Sequence, residues 1–178
     1  MITLFVGGAR SGKSAIAERF TSTLGPTVTY VATWTAPAGQ PVDPAMQARI
    51  AAHQARRPHG WALEEVGSDL PAVLSRLDGT VLVDSLGTWV AGVPDFAVDT
   101  AGLCRALAAR RGDTVVVSEE VGLGVHPSTS VGREFRDALG RVNEAVADVA
   151  EDVWLVVAGR TLPLSRVPWG GLTEPEAP

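Results

Sequence analysis

The residues Gly7-Gly8-Ala9-Arg10-Ser11-Gly12-Lys13-Ser14 match the pattern G-x-x-x-x-G-K-S/T. Glycines in such a loop let successive backbone N–H groups turn inward on phosphate oxygens. The amino terminus of a following helix adds partial positive charge. A lysine at this position reaches the β- and γ-phosphates of a nucleoside triphosphate, and the next hydroxyl can ligand Mg²⁺. Gly7 to Ser14 are thus candidate nucleotide contacts, Lys13 a candidate catalytic residue and Ser14 a candidate metal ligand. The basic residues sharpen this reading, because Lys13 is the one lysine among fifteen and the rest are arginines. A glycine-rich turn that matches by chance is the alternative. An apolar run before the loop and a helical pattern after it supply the context that such a turn would lack.

Two further residue types could do chemistry with a bound triphosphate. Asp84 closes the apolar run Val81-Leu82-Val83, where a carboxylate can hold Mg²⁺; the competing reading is a helix N-cap. Glu119 and Glu120 follow a second such run and are candidates for metal or base roles. His53 stands beside an arginine pair in Ala52-His53-Gln54-Ala55-Arg56-Arg57. By period alone it is a half-buried packing histidine, on one helix face with Met46 and Ile50. Imidazole is also a nucleophile near neutral pH. Attack on an α-phosphorus would give a phosphoramidate with loss of pyrophosphate, and nearby arginines would stabilise the developing charge. His59 and His126 lie in turn contexts, and no pair of histidines or cysteines has zinc-site spacing.

The elements that must position these groups alternate. Strands are expected at Ile2–Val6, Thr27–Ala32, Val81–Val83, Thr114–Val117 and, as a final buried strand, Val153–Ala158. Helices are expected at Lys13–Leu24, Pro44–Arg57, Ser68–Leu77, Thr100–Arg111 and Ser130–Ala150. Continuous apolar strands between amphipathic helices imply an α/β fold with a mostly parallel sheet covered on both faces. Ligands of such sheets bind outside the carboxyl ends of the strands. Gly7–Ser14, Thr33-Trp34, Asp84-Ser85, Ser118-Glu119-Glu120 and Gly159 should therefore meet at one site.

Composition limits the function classes. A chain of 178 residues with 46% hydrophobic and 20% charged residues is ordinary for a globular domain. We read residues 1–167 as a single nucleotide-binding catalytic domain and residues 168–178, rich in Gly, Pro and Glu, as a loose tail. The net charge of −5 argues against nucleic acid as a partner, and no apolar run approaches the roughly 18 residues of a membrane span. The first residues lack the basic stretch and cleavage site of a secretory signal. Together with the single cysteine, Cys104, this makes a cytoplasmic location the expectation.

The loop, as Gly-Gly-Ala-Arg-Ser-Gly-Lys-Ser, resembles the bifunctional adenosylcobinamide kinase / adenosylcobinamide-phosphate guanylyltransferases of cobalamin biosynthesis. The likeness continues in order through Tyr30-Val31-Ala32-Thr33, Met46–His53 with Arg57-Pro58, Trp61 and Glu65. It then takes in Val81–Trp89, Glu120-Val121-Gly122-Leu123-Gly124 with Pro127, Phe135-Arg136-Asp137 with Gly140-Arg141 and Asn143, and Val153–Gly159. It implies a RecA-like P-loop NTPase architecture and two reactions. One phosphorylates the aminopropanol hydroxyl of adenosylcobinamide. The other moves GMP from GTP through a covalent histidine onto that phosphate, giving adenosylcobinamide-GDP and pyrophosphate.

Carried over by motif, the guanylylated residue is His53. Nucleotide contacts fall on Gly7–Ser14, on Ala32, Thr33 and Trp34, on Gln54, Ala55, Arg56 and Arg57, on Glu65 and on Asp84. The resemblance also implies Mg²⁺, GTP and ATP as substrates, a corrinoid partner and a homo-oligomer. Trp34, Glu119 and the ending Gly159–Arg166 depart from the family's usual residues. A P-loop small-molecule kinase without guanylyl transfer, in which His53 is structural, is the alternative. A GTP-binding switch is disfavoured because its guanine-reading Asn-Lys-x-Asp segment needs a second lysine.

Overall fold

The computed structural model describes residues 1–34 and 42–166. The expected tail and most of the Pro/Ala/Gly-rich stretch after Trp34 lie outside those residues. Strand β1 (Ile2–Gly7) runs into the phosphate loop, and helix α1 (Lys13–Thr21) leaves it. There follow β2 (Val28–Ala32), α2 (Pro44–Arg56), β3 (Ala62–Glu65), α3 (Leu70–Arg76), β4 (Thr80–Asp84) and α4 (Leu86–Ala91). A short 3₁₀ turn at Pro94–Phe96 leads to α5 (Thr100–Ala109), β5 (Thr114–Glu119), α6 (Ser130–Val149), β6 (Asp152–Val157) and β7 (Arg160–Pro163).

The described strands form one sheet in the order β3-β2-β4-β5-β1-β6-β7, parallel except for β7. Its central strands carry unbroken apolar runs, Val81–Val83 in β4 and Val115–Val117 in β5, because each alternate side chain meets a different core. Val81, Val83 and Val116 pack with α3 to α6 on one face; Leu82, Val115 and Val117 pack with Phe5 and Ala17 of α1 on the other. Burying both faces removes the polar alternation that a one-sided strand shows.

The expected α/β architecture is present, with five corrections. Strand β3 and helix α4 were not anticipated: β3 is a four-residue edge strand with mostly exposed side chains, and α4 has only six residues, too short to show a period. Val153–Ala158 is not the final buried strand. It ends at Val157, only Val156 is buried along it, and the hairpin partner β7 follows. Two helices stop early. α1 ends at Thr21, where Ser22 and Thr23 return their hydroxyls to the carbonyls of Glu18 and Phe20. α5 ends at Ala109, because Arg110 is extended and spends its guanidinium on the carbonyls of Leu74, Leu77 and Gly79.

One buried polar link ties α6 to the active edge of the sheet. Asn143 accepts from the Ser118 hydroxyl at 2.5 Å and donates its amide to the Glu119 carbonyl at 3.0 Å. Asn143→Leu orphans both groups, a loss of about 1–3 kcal/mol for a buried unsatisfied partner. Urea unfolding should show that drop in stability; an unchanged midpoint would mean that water replaces the amide.

Candidate active site

The phosphate loop leaves β1 at Gly7, whose neighbour across the sheet is β6. A Cβ at Gly7 would lie 2.5 Å from the Val156 carbonyl oxygen, so only glycine fits. Gly12, at φ 91°, N-caps α1 without any side-chain hydrogen bond. The first amides of α1 therefore keep their donors for a ligand. Ser11 Oγ is also buried with no hydrogen-bond partner among the described residues. Lys13 is 4% exposed and its Nζ lies 3.4 Å from the Gly8 carbonyl and 3.5 Å from Glu119 Oε1.

The other strand ends converge as expected. Ser14 Oγ donates to Asp84 Oδ1 at 3.3 Å. Thr33 Oγ1 bonds the Ser85 carbonyl and lies 2.6 Å from Thr88 Oγ1, while Ser85 Oγ donates to the Glu119 carboxylate. Gly159 N–H donates to the Ser11 carbonyl at 2.8 Å. The N-cap of α4 is Ser85, in a capping box with Thr88, so the N-cap reading of Asp84 is wrong and its carboxylate faces the loop. Of the two glutamates, Glu119 reaches Lys13. Glu120 turns back to the Gly122 N–H.

A cavity of about 630 Å³ opens over this edge. Its walls include Ala9 to Ala15, Glu119 and, from α2, Ala48, Ala52, His53 and Arg56. That volume is in the range of small-molecule sites. Among the expected contacts on α2, His53 and Arg56 thus reach the cavity. Gln54 and Ala55 are exposed and do not line it, because the helical period puts Ala48 and Ala52 on the lining face instead. Arg57 lies 5.7 Å from the Tyr30 ring centre, a cation–π contact below the cavity wall. Ala32 and Glu65 are paired neighbours at the ends of β2 and β3, outside the lining, and Trp34 is half-buried beyond β2.

His53 is the most constrained of these groups. Its Nδ1 lies 3.1 Å from Asp84 Oδ2, 3.2 Å from the Tyr30 hydroxyl and 3.4 Å from Glu18 Oε1. The Tyr30 phenol is pushed up by burial and by the Asp84 charge, so it stays protonated and donates to Asp84 Oδ2 at 2.9 Å. Surrounded by acceptors, Nδ1 keeps its hydrogen in either charge state, and Nε2 is the nitrogen that exchanges a proton. Hydrogen bonds to Asp84 and then Glu18 push the imidazole up to about 9. Burial alone would raise Glu18, but hydrogen bonds from His53 and Arg56 outweigh it and hold the carboxyl below its usual value. Glu18 was missed in the sequence. The available signal was its place one helical turn after Ser14, on the same face of α1.

A family model and three relatives agree on kinship. The model of the family described as cobinamide kinase / cobinamide phosphate guanyltransferase matches residues 3–164. The bifunctional adenosylcobalamin biosynthesis protein CobP of Pseudomonas aeruginosa is 37% identical over 177 residues, covering 94% of this chain and 99% of that protein. The bifunctional adenosylcobalamin biosynthesis protein CobU of Salmonella typhimurium is 35% identical, covering 89% and 97%. Its Escherichia coli counterpart is 33% identical with the same coverage.

The His53 shift has a sign that can be tested. A folded value near 9, above an ordinary value of about 6.5, favours folding while the imidazole is charged. That stability is complete below about pH 6.5 and is lost as pH rises through about 9. The Glu18 shift describes the same pair and is not counted again. Thermal melts of ligand-free protein should show Tm falling across this window, and His53→Ala should flatten the fall. An equal fall in both proteins would place its origin elsewhere.

Proposed function

Because this chain belongs to the cobinamide kinase / cobinamide phosphate guanyltransferase family, we propose that both reactions of a bifunctional enzyme run in the one cavity at the carboxyl edge of its sheet. Membership supports the two-activity reading over a kinase without guanylyl transfer. The observation that carries the shared cavity is that His53 and the phosphate loop line the same space. The substrates are a corrinoid, adenosylcobinamide or its phosphate, and the nucleotides ATP and GTP. No described helix is long and apolar enough to cross a membrane. A homo-oligomer, which the resemblance implies, belongs to the proposal.

In the kinase step the loop amides, the Ser11 hydroxyl and Lys13 receive the triphosphate. Lys13 exchanges its present partners, Glu119 and the Gly8 carbonyl, for phosphate oxygens. Ser14 Oγ and Asp84 Oδ1 stand 3.3 Å apart, a hydroxyl and a carboxylate oxygen of the type that Mg²⁺ takes as ligands, near enough to face one ion after a small approach. These two residues would hold the ion, which supplies charge neutralisation on the phosphates when bound. Phosphoryl transfer needs little more from the protein than this positioning, and Glu119 stands near enough to Lys13 to orient it.

In the guanylyl step the Nε2 lone pair of neutral His53 attacks the α-phosphorus of GTP. The N–P bond forms as the bond to the β-phosphate oxygen breaks, and pyrophosphate leaves. A phosphate oxygen of the corrinoid then attacks the same phosphorus and the N–P bond breaks, restoring the histidine. The imidazolium has no lone pair at Nε2, so His53 must first lose the proton that its two carboxylates favour. The triphosphate must also present its α- rather than its γ-phosphate, so the nucleotide sits differently in the two steps.

Intact mass after incubation with GTP and Mg²⁺, kept away from acid, tests the reading. The wild type should gain a GMP-sized adduct and His53→Ala should not, while the variant still phosphorylates the corrinoid. Lys13→Ala should lower both activities by about 10²–10³-fold, the usual loss for one electrostatic donor to a transition state. An adduct on the His53→Ala protein would assign the nucleophile elsewhere.

A further inference from the structure

Glu18 has no place in either half-reaction as described, yet it is a 6% exposed carboxylate whose hydrogen bonds run to α2. Oε2 accepts from Arg56 Nε at 3.0 Å, and Oε1 lies 3.3 Å from Arg56 Nη2 and 3.4 Å from His53 Nδ1. His53 and Arg56 are three residues apart, so they present neighbouring groups on one helix face. A single rigid carboxylate thus grips two adjacent teeth of α2. Burying that charge is costly unless it is paired, and these are the pairs.

The grip matters because no described side chain of α2 is buried. Among the described residues, polar contacts tie α2 to the body, through His53 to Tyr30 and Asp84 and through Arg56 to Glu18. Asp84 divides its two oxygens between the phosphate-loop side, at Ser14, and the histidine side. Glu18 faces the histidine from α1, the helix that the phosphate loop itself begins. It therefore ties the nucleophile to the same rigid element that fixes the phosphates.

From this we propose that Glu18 is a positioning residue of the guanylyl step: beside the nearer Asp84 it faces the Nδ1–H of His53, it keeps Nε2 turned to the cavity, and it fixes α2 by its hold on Arg56. The proposal rests on His53 being the guanylylated residue. When Nε2 bonds to phosphorus, the Nδ1 proton stays in place and the ring becomes positive. The Glu18 carboxylate lies against that charge as it forms. The kinase step uses no atom of His53, so it gains nothing from this contact.

The test compares wild type, Glu18→Ala, Glu18→Gln and Glu18→Asp with His53→Ala. Formation of the protein–GMP adduct is followed in a single turnover at saturating GTP and Mg²⁺, beside GTP affinity and corrinoid phosphorylation. Glu18→Ala should slow adduct formation about 10–100-fold, a usual range for loss of an orienting partner. Glu18→Asp should recover part of the rate. Phosphorylation at saturating nucleotide should stay within about twofold of wild type, a split that general loosening of the fold would not produce, and the GTP affinity separates any weakening through Arg56 from the rate of attack. If Glu18→Ala does not fold, the near-isosteric Glu18→Gln decides by the same comparison. Adduct formation at the wild-type rate, or an equal fall in both activities, overturns the role of Glu18 while leaving His53 as nucleophile. A wild type without adduct, or a His53→Ala protein with one, overturns the parent reading and this proposal with it.

Discussion

The site depends on paying for two buried carboxylates with one imidazole and one guanidinium. Glu18 on α1 and Asp84 at the end of β4 lie close enough together that one side-chain atom from each, with His53, falls within a 4.8 Å cluster. Two like charges at that separation repel strongly in a dry environment. The charged His53 between them and Arg56 beside Glu18 remove the conflict. The same contacts tie α2, a helix without a buried described side chain, to the body. The resting arrangement suits cohesion and not attack, since the proton that stabilises the cluster occupies the nitrogen that must react.

Lys13 shows the same economy in the phosphate loop. Its ammonium is buried and would be destabilising alone. Glu119, itself held by Ser85 Oγ and the Gly87 N–H, gives it a counter-charge until phosphate oxygens arrive. Its neighbour Glu120 does not share the role, turning back to the Gly122 N–H. The ladder from Thr33 through Ser85 and Thr88 to Glu119 joins the ends of β2, β4 and β5 by hydroxyls. The last rung, Glu119, is the counter-charge of Lys13.

The phosphate loop, the central parallel strands and the two-sided core can all be read from the amino-acid order. Each of these follows from contiguous residues and a local period: a glycine pattern, a β-branched run, an apolar stripe at helical spacing. The edge elements were not legible for the same reason. β3 draws its identity from pairing with β2, β7 from folding back on β6, and α4 from the Ser85–Thr88 cap. Which distant groups share a charge emerges only in the folded chain. Glu18 and His53 are 35 positions apart and Tyr30 and Asp84 are 54, and no spacing rule links them. The crossover through α2 brings His53 back over α1, and burial there makes a protonated histidine and an ionised glutamate each the condition of the other.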